Sequence, residues 1–151
     1  MRNFCLIGLT PARQECPRCG HIASNDDHPE FYRPWHVRGH QAVWAYLESL
    51  GDEAHEWMLA LYVDKGLNLL AVETLAQGTI SACPAPFWRV YRRGYALGAK
   101  GFILAHNHPS GDARPSQADR RLTNHIRMVS REVDMPLLDH LIVTKDDIYI
   151  I

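Results

Sequence analysis

The sequence predicts a layered α/β domain built on a mixed sheet. Three observations carry that expectation. Short apolar runs of strand length recur along the chain, amphipathic stretches of helical period are interleaved with them, and turns rich in proline, glycine and aspartate separate the two kinds of segment.

The elements follow in chain order. Residues 1–36 carry Pro11, Pro17, Pro29 and Pro34, three of the four cysteines and no sustained periodicity. They read as an irregular extension ahead of a domain over 37–151. Ala42 to Leu50 is expected to be helical, with Val43, Tyr46, Leu47 and Leu50 at helical spacing and Gly51 as the stop. Trp57 to Val63 reads as a buried strand, Asp64-Lys65-Gly66 as a turn and Leu69 to Leu75 as a second strand, together a hairpin. Pro84 and Pro86 precede a helix through Tyr95, whose apolar stripe is Phe87, Val90, Tyr91 and Tyr95. Gly101 to Ala105 is a short apolar strand of the fully buried type. A helix then runs from Ser116 to about Val133, and its expected buried face is Ala118, Leu122, Ile126, Val129 and Val133. Leu137 to Val143 and Ile148 to Ile151 finish as strands around the Lys145-Asp146-Asp147 turn.

The most informative residues join the apolar strand to the second helix: His106-Asn107-His108-Pro109-Ser110-Gly111, then Ser116 and Asp119. Two histidines two apart on an extended segment share one side of it. Pro109, Gly111 and Pro115 force a compact loop, and Ser116-Gln117-Ala118-Asp119 opens the helix. Asp119 therefore sits in the first helical turn, able to swing back towards both imidazoles. Two imidazole nitrogens and a carboxylate oxygen suit zinc and leave the fourth tetrahedral position to water, as in a catalytic site; a structural site is usually closed by four protein ligands. Ser-x-x-Asp is also a helix-start pattern, with Ser116 as N-cap and Asp119 at N3. The capping and ligand roles do not exclude each other.

His106-x-His108, seven residues, Ser116, two residues, Asp119 resembles the JAMM motif of JAB/MPN-domain metallohydrolases. The fuller string HNHPSGDARPSQAD, preceded by Gly78-Thr79 and followed by Asp139-His140, is similar to the RadC branch of that superfamily. The resemblance runs from about Glu56 to Val143. It implies a cytidine-deaminase-like three-layer α/β/α sandwich with a mixed β-sheet and one zinc ion held by His106, His108 and Asp119. It also implies hydrolysis of peptide or isopeptide amide bonds, hence a protein or peptide substrate, ubiquitin-like conjugates included.

Zinc alone does not complete amide hydrolysis. It lowers the pKa of a water to about 7 and polarises the carbonyl, yet a carboxylate must still carry the proton to the departing amine. The resemblance places that glutamate at the start of an earlier strand, just ahead of an aromatic residue, which here is Glu56 before Trp57. Glu53 and Glu73 compete for the role, and Glu73 matches a different family position. Ser116 carries over as the hydroxyl that hydrogen-bonds the substrate oxygen as negative charge develops. Asn107 faces away from the histidines and is expected to be structural. Asp139 and His140 match a family-typical pair; an orienting role behind a ligand and a simple buried polar pair both stay open, and neither is placed in the site. One departure stands out: relatives carry a Pro-Arg pair entering the helix before the histidine strand, where this chain has Phe87-Trp88-Arg89. That difference bears on substrate specificity and leaves the zinc chemistry untouched.

Cys16-Pro17-Arg18-Cys19-Gly20-His21 is a second constellation. C-P-x-C-G is the turn of a zinc knuckle, so Cys16 and Cys19 are candidates for a second, structural zinc. A complete site needs two more ligands, and the sequence has no second C-x-x-C. His21, His28, His36, His40 and Cys5 are candidates without clear spacing, and unligated thiols are the competing reading.

Composition narrows the function classes. In a chain of 151 residues, 46% hydrophobic with formal net charge −1, a single globular domain with an extension fits. That charge argues against a protein built mainly to neutralise nucleic-acid phosphates. Arg89, Arg92 and Arg93 cluster on one helix, and Arg114, Arg120, Arg121, Arg127 and Arg131 surround another; a solvated face is the expectation for both. No apolar run approaches the length of a membrane span, and Phe4 to Leu9 is too short for a signal-peptide core. The expectation is a cytoplasmic protein in which the four cysteines do not form structural disulfides. A zinc deaminase would need H-x-E followed downstream by P-C-x-x-C, an order this chain lacks. An HNH nuclease disperses its residues over a ββα unit. The serious rival is non-enzymatic: a metal-stabilised interaction module or a DNA-associated, repair-linked one. The presence of Glu56 and Ser116 beside all three ligands speaks against an inactive site. Oligomeric state is not legible.

Every residue assigned to the chemistry lies at or after Glu56. A truncation starting near Val37 is therefore expected to fold and to keep the catalytic zinc, checked by circular dichroism and metal analysis. An insoluble or zinc-free product would place the extension inside the core.

Overall fold

All seven residues of the Trp57–Val63 strand are apolar, and a strand of that kind must be covered on both faces. The computed structural model describes Val43 and residues 47–78 and 87–151. In it, β1 (Trp57–Val63) lies between β2 (Leu69–Gln77) and β3 (Gly101–Asn107), followed by β4 (Leu137–Val143) and β5 (Ile148–Ile150), in the sheet order β2-β1-β3-β4-β5. β1 is antiparallel to β2 and to β3, β3 is parallel to β4, and β4 is antiparallel to β5, so the sheet is mixed. Helix α1 (Trp88–Ala96) precedes β3, and α2 (Gln117–Glu132) makes the crossover that the parallel β3–β4 pair requires.

β3 is buried along its whole length. Leu59, Leu61, Val63, Ile103, Ala105, Leu141 and Val143 face one side and pack with Val43, Leu47 and Leu50. Ala60, Tyr62, Phe102 and Leu104 face the other, under Val90 and Tyr91 of α1 and Ile126 of α2. Val43 and Leu47 are helical, and Glu48–Leu50 closes that segment as a 3₁₀ turn; Tyr46 lies outside the described residues. At Gly51 a Cβ would stand 2.4 Å from the Thr144 carbonyl oxygen, so glycine lets the turn after β4 press against the chain that leads to β1. The expected layered α/β fold with a mixed sheet is therefore observed.

The helices correct the expected apolar stripes in two places. Tyr95 is 56% exposed and its hydroxyl donates to the Val133 carbonyl, because α1 turns Val90, Tyr91 and Gly94 inward instead. Gly94 is there because space is lacking: a Cβ would meet the Met135 sulfur at 2.4 Å. On α2, Ala118 is exposed, and the most deeply buried line is Asp119, Thr123, Ile126 and Ser130, with Leu122, Val129 and Val133 packed at its margin. The helix is rotated towards polar residues that find partners inside. β2 also runs two residues past its expected end, to Gln77. The arginines at 89, 92, 93, 114, 120, 121 and 131 are exposed, as expected of a solvated face. Among the described residues, no helix is long and apolar enough to cross a membrane.

Candidate metal centre

β3 ends where its last residues turn polar. His106 is buried on the face covered by α2, and His108 follows one residue beyond the strand, partly buried. The Pro109–Pro115 loop then leads to Ser116, the N-cap of α2. Its hydroxyl accepts from the Asp119 N–H at 3.2 Å, while the Ser116 N–H donates to Asp119 Oδ2 at 2.8 Å. This reciprocal capping box fixes Asp119 in the first turn with its carboxylate aimed at the histidines. The Ser116 hydroxyl also donates to Oδ2, at 2.6 Å.

Three ligand atoms converge. His106 Nε2 is 3.1 Å from His108 Nε2 and 3.3 Å from Asp119 Oδ1, and His108 Nε2 is 3.7 Å from Asp119 Oδ2. Donors held at about 2.0–2.1 Å by a tetrahedral ion stand about 3.3 Å apart, so these separations fit one small cation. His106, His108 and Asp119 are a group able to hold a metal ion.

The partners behind the ligands fit the same reading. His108 Nδ1 lies 2.7 Å from the Asp112 carbonyl, which can only accept, so the proton is on Nδ1 and the Nε2 lone pair faces the centre. That carbonyl is steadied by Arg114, whose Nη2 donates to Asp112 Oδ2 at 2.7 Å. Burial alone would raise the Asp119 carboxyl, but the imidazoles of His106 and His108 and the Ser116 hydroxyl around it outweigh that and hold the group far below the usual carboxylate range. The nearby Asp119 carboxylate raises His108 against the opposing effect of burial, helped by the Asp112 carbonyl and by the negative charge of Glu56.

Glu56 is half-buried beside β1, and its carbonyl accepts from the Gly78 N–H at 2.8 Å. Met58 pairs with His106 across β1 and β3; carried on by two residues, that antiparallel register sets Glu56 alongside His108. Its charge is felt there, as the His108 shift records. Glu73 points elsewhere. It accepts from the Tyr62 hydroxyl at 3.2 Å and pairs with Arg89 at 3.5 Å. Glu53 meets the site through its backbone, its carbonyl accepting from Asn107.

Asn107 is fully buried on the opposite face from His106 and acts as a clamp on the chain that carries Glu56. Its Oδ1 accepts from the Trp57 N–H at 2.7 Å, and its Nδ2 donates to the His55 and Glu53 carbonyls at 3.0 and 3.3 Å. Sequence reasoning gave Asn107 a structural role but not this target. It placed neither Asp139 nor His140 in the site, and Thr123 drew no reading at all. His140 Nε2 lies 2.9 Å from His106 Nδ1, and burial above all pushes its imidazole down to about 3, so it is neutral. Thr123 lies four residues after Asp119, a spacing that puts both on one helix face and could have drawn attention to it. The Cys16/Cys19 knuckle lies outside the described residues.

The family model of the RadC-like JAB domain matches residues 37–151. The chain belongs to that family. A UPF0758 protein of Bordetella petrii is 45% identical to it over 100 residues, which cover 66% of this chain and 44% of that protein. The UPF0758 protein YfjY of Escherichia coli K12 is 42% identical over 106 residues, covering 70% of this chain and 66% of that protein. A UPF0758 protein of Leptothrix cholodnii is 35% identical over 149 residues, covering 93% of this chain and 64% of that protein. The chain spans about half the length of the curated relatives it matches.

In this RadC-like JAB domain the Asn107 clamp makes a direct test. Asn107→Ala removes one hydrogen bond from the Trp57 N–H and two to the His55 and Glu53 carbonyls, all partly buried, and each lost bond costs about 0.5–1.5 kcal/mol. A clearly lower melting temperature is expected, with metal content per folded chain unchanged because no ligand is touched. Calorimetry and elemental analysis of the variant check both.

Proposed function

We propose that this chain is a zinc-dependent hydrolase that cleaves a peptide or isopeptide amide bond. The observation that carries the reading is the convergence of His106 Nε2, His108 Nε2 and the Asp119 carboxylate at 3.1–3.7 Å, with Glu56 alongside. Two imidazoles and one carboxylate are a borderline-soft donor set that suits zinc, and three protein ligands are the number found in catalytic sites. When bound, the ion supplies Lewis acidity, acidifying a water and polarising the scissile carbonyl.

The chain's own residues supply the rest. Glu56 takes a proton from the attacking water as its oxygen bonds to the carbonyl carbon, then delivers it to the nitrogen as the C–N bond breaks. Its place alongside His108, where its negative charge helps to raise the imidazole, supports that role. Ser116 is exposed at the mouth of the centre, its hydroxyl resting on Asp119 Oδ2. Rotation about its Cβ–Oγ bond aims that O–H at the substrate oxygen as charge develops there, while Oγ still accepts from the Asp119 N–H. Asp119 stays in place meanwhile, because the Ser116 backbone N–H still holds Oδ2.

Purified protein is expected to hold zinc at this centre and to lose one equivalent in the His106→Ala/His108→Ala variant. Equal zinc content in the two proteins, measured by elemental analysis, would sink the assignment. One equivalent left in the double variant would point to Cys16 and Cys19.

Glu56→Gln keeps shape but removes the proton acceptor. Zinc binding should survive while turnover falls by roughly 10²–10⁴-fold, read on a zinc-replete panel of peptides and ubiquitin-like conjugates. Ser116→Ala should slow the same reaction by roughly 10²–10³-fold and, as a lost cap, cost about 1 kcal/mol of stability. If Glu56→Gln retains activity that Glu53→Gln or Glu73→Gln abolishes, the base is misplaced.

A further inference from the structure

The proposed chemistry leaves two buried polar groups beside the ligands unused, His140 in the middle of β4 and Thr123 on α2, both 0% exposed. His140 pairs with Leu104 and Ile142 with His106, so His140 lies one pleat from His106 on the same face of the sheet. The two rings stand 4.9 Å apart between centroids. A continuous chain of hydrogen bonds leaves His106 here. His106 Nδ1 is 2.9 Å from His140 Nε2, His140 Nδ1 is 2.6 Å from Thr123 Oγ1, and Thr123 Oγ1 is 2.7 Å from the Asp119 carbonyl.

Proton counting leaves two ways to fill the two imidazole links of this chain. In one, Thr123 donates to the Asp119 carbonyl and accepts from His140 Nδ1–H. His140 Nε2 then accepts from His106 Nδ1–H, and His106 Nε2 keeps a bare lone pair. In the other, Thr123 donates to His140 Nδ1, His140 Nε2–H donates to His106 Nδ1, and His106 carries its proton on Nε2. That proton would point at the atoms 3.1 and 3.3 Å away in His108 and Asp119 and would block coordination. A carbonyl has no proton to give and threonine has only one, so the bond to Asp119 exists only in the first arrangement.

We propose that His140 and Thr123 are positioning residues that set His106 as its Nδ1–H tautomer, presenting the Nε2 lone pair to the metal. The relay begins on the side chain of one ligand and ends on the backbone of another. It thereby ties β3, β4 and α2 around the centre, and His106 takes up the cation without first giving up a proton. The inference rests on the metal reading above and is independent of whether the bound metal hydrolyses anything.

The test has a spectroscopic arm and a binding arm. Long-range ¹H–¹⁵N correlation spectra of the metal-free protein, at a pH where the imidazoles are neutral, are expected to show His106 protonated on Nδ1 and His140 on Nδ1. His106 protonated on Nε2 in the wild type would overturn the inference without any variant. Thr123→Val removes the acceptor for His140 Nδ1–H at nearly constant volume. It should shift His140 and then His106 to the opposite tautomers and weaken zinc binding by about 10–100-fold in chelator competition. Thr123→Ser should restore both. A folded Thr123→Val protein with wild-type tautomers and wild-type zinc affinity would show that the pair merely fills space. Wild-type protein with no zinc affinity would instead remove the metal reading, and this inference with it.

Discussion

A carboxylate as buried as that of Asp119 is tolerated only when donors surround it, since an unpaired buried charge costs several kcal/mol. The local architecture follows from that demand. The Ser116 N–H and O–H take one oxygen and His106 faces the other, which requires Ser116 to stand at the start of α2 and His106 at the end of β3. The Pro109–Pro115 loop between them is short enough to hold both at once. Capping the helix and building the centre are one set of hydrogen bonds, so the start of α2 and the ligand geometry rise or fall together.

The sheet provides the second half of the frame. Successive residues of β3 serve opposite faces: His106 enters the centre beneath α2, and Asn107 reaches the other side to grip the backbone at Glu53, His55 and Trp57. A slip of one residue between β1 and β3 would exchange those faces, burying Asn107 in the centre and turning His106 away. Register is therefore a functional quantity here. It also places Glu56 next to His108, with the Gly78 N–H holding its carbonyl from the far side.

Departures from simple hydrophobic patterning gather at this centre. α2 buries Asp119, Thr123 and Ser130 where an apolar stripe would place only carbon, and β4 buries His140 among leucine, isoleucine and valine. Most of these polar groups have a named partner: Tyr91 meets Ser130 at 3.1 Å, and His140 bridges Thr123 to His106. A core that satisfies its polar members loses little stability and gains fixed tautomers and fixed angles, which a coordinating site needs.

The group able to hold a metal ion was legible in the sequence because it is local: His106, His108 and Asp119, with the capping Ser116, lie on one strand end, one proline-bound loop and one helix turn, whose geometry is short-range. β1, β4 and the hairpin were legible for the same reason, as apolar runs of strand length closed by turn residues. The rest was settled across long separations. His140 meets His106 from 34 residues away, and Asn107 clamps Trp57 from 50. Glu56 stands beside His108 through strand register, and Ala118 and Tyr95 are exposed through helix rotation. Residue type and spacing determine which atoms can coordinate or cap. Which groups stand behind them depends on how the sheet pairs and how each helix rolls on it, and those are set by packing across the whole domain.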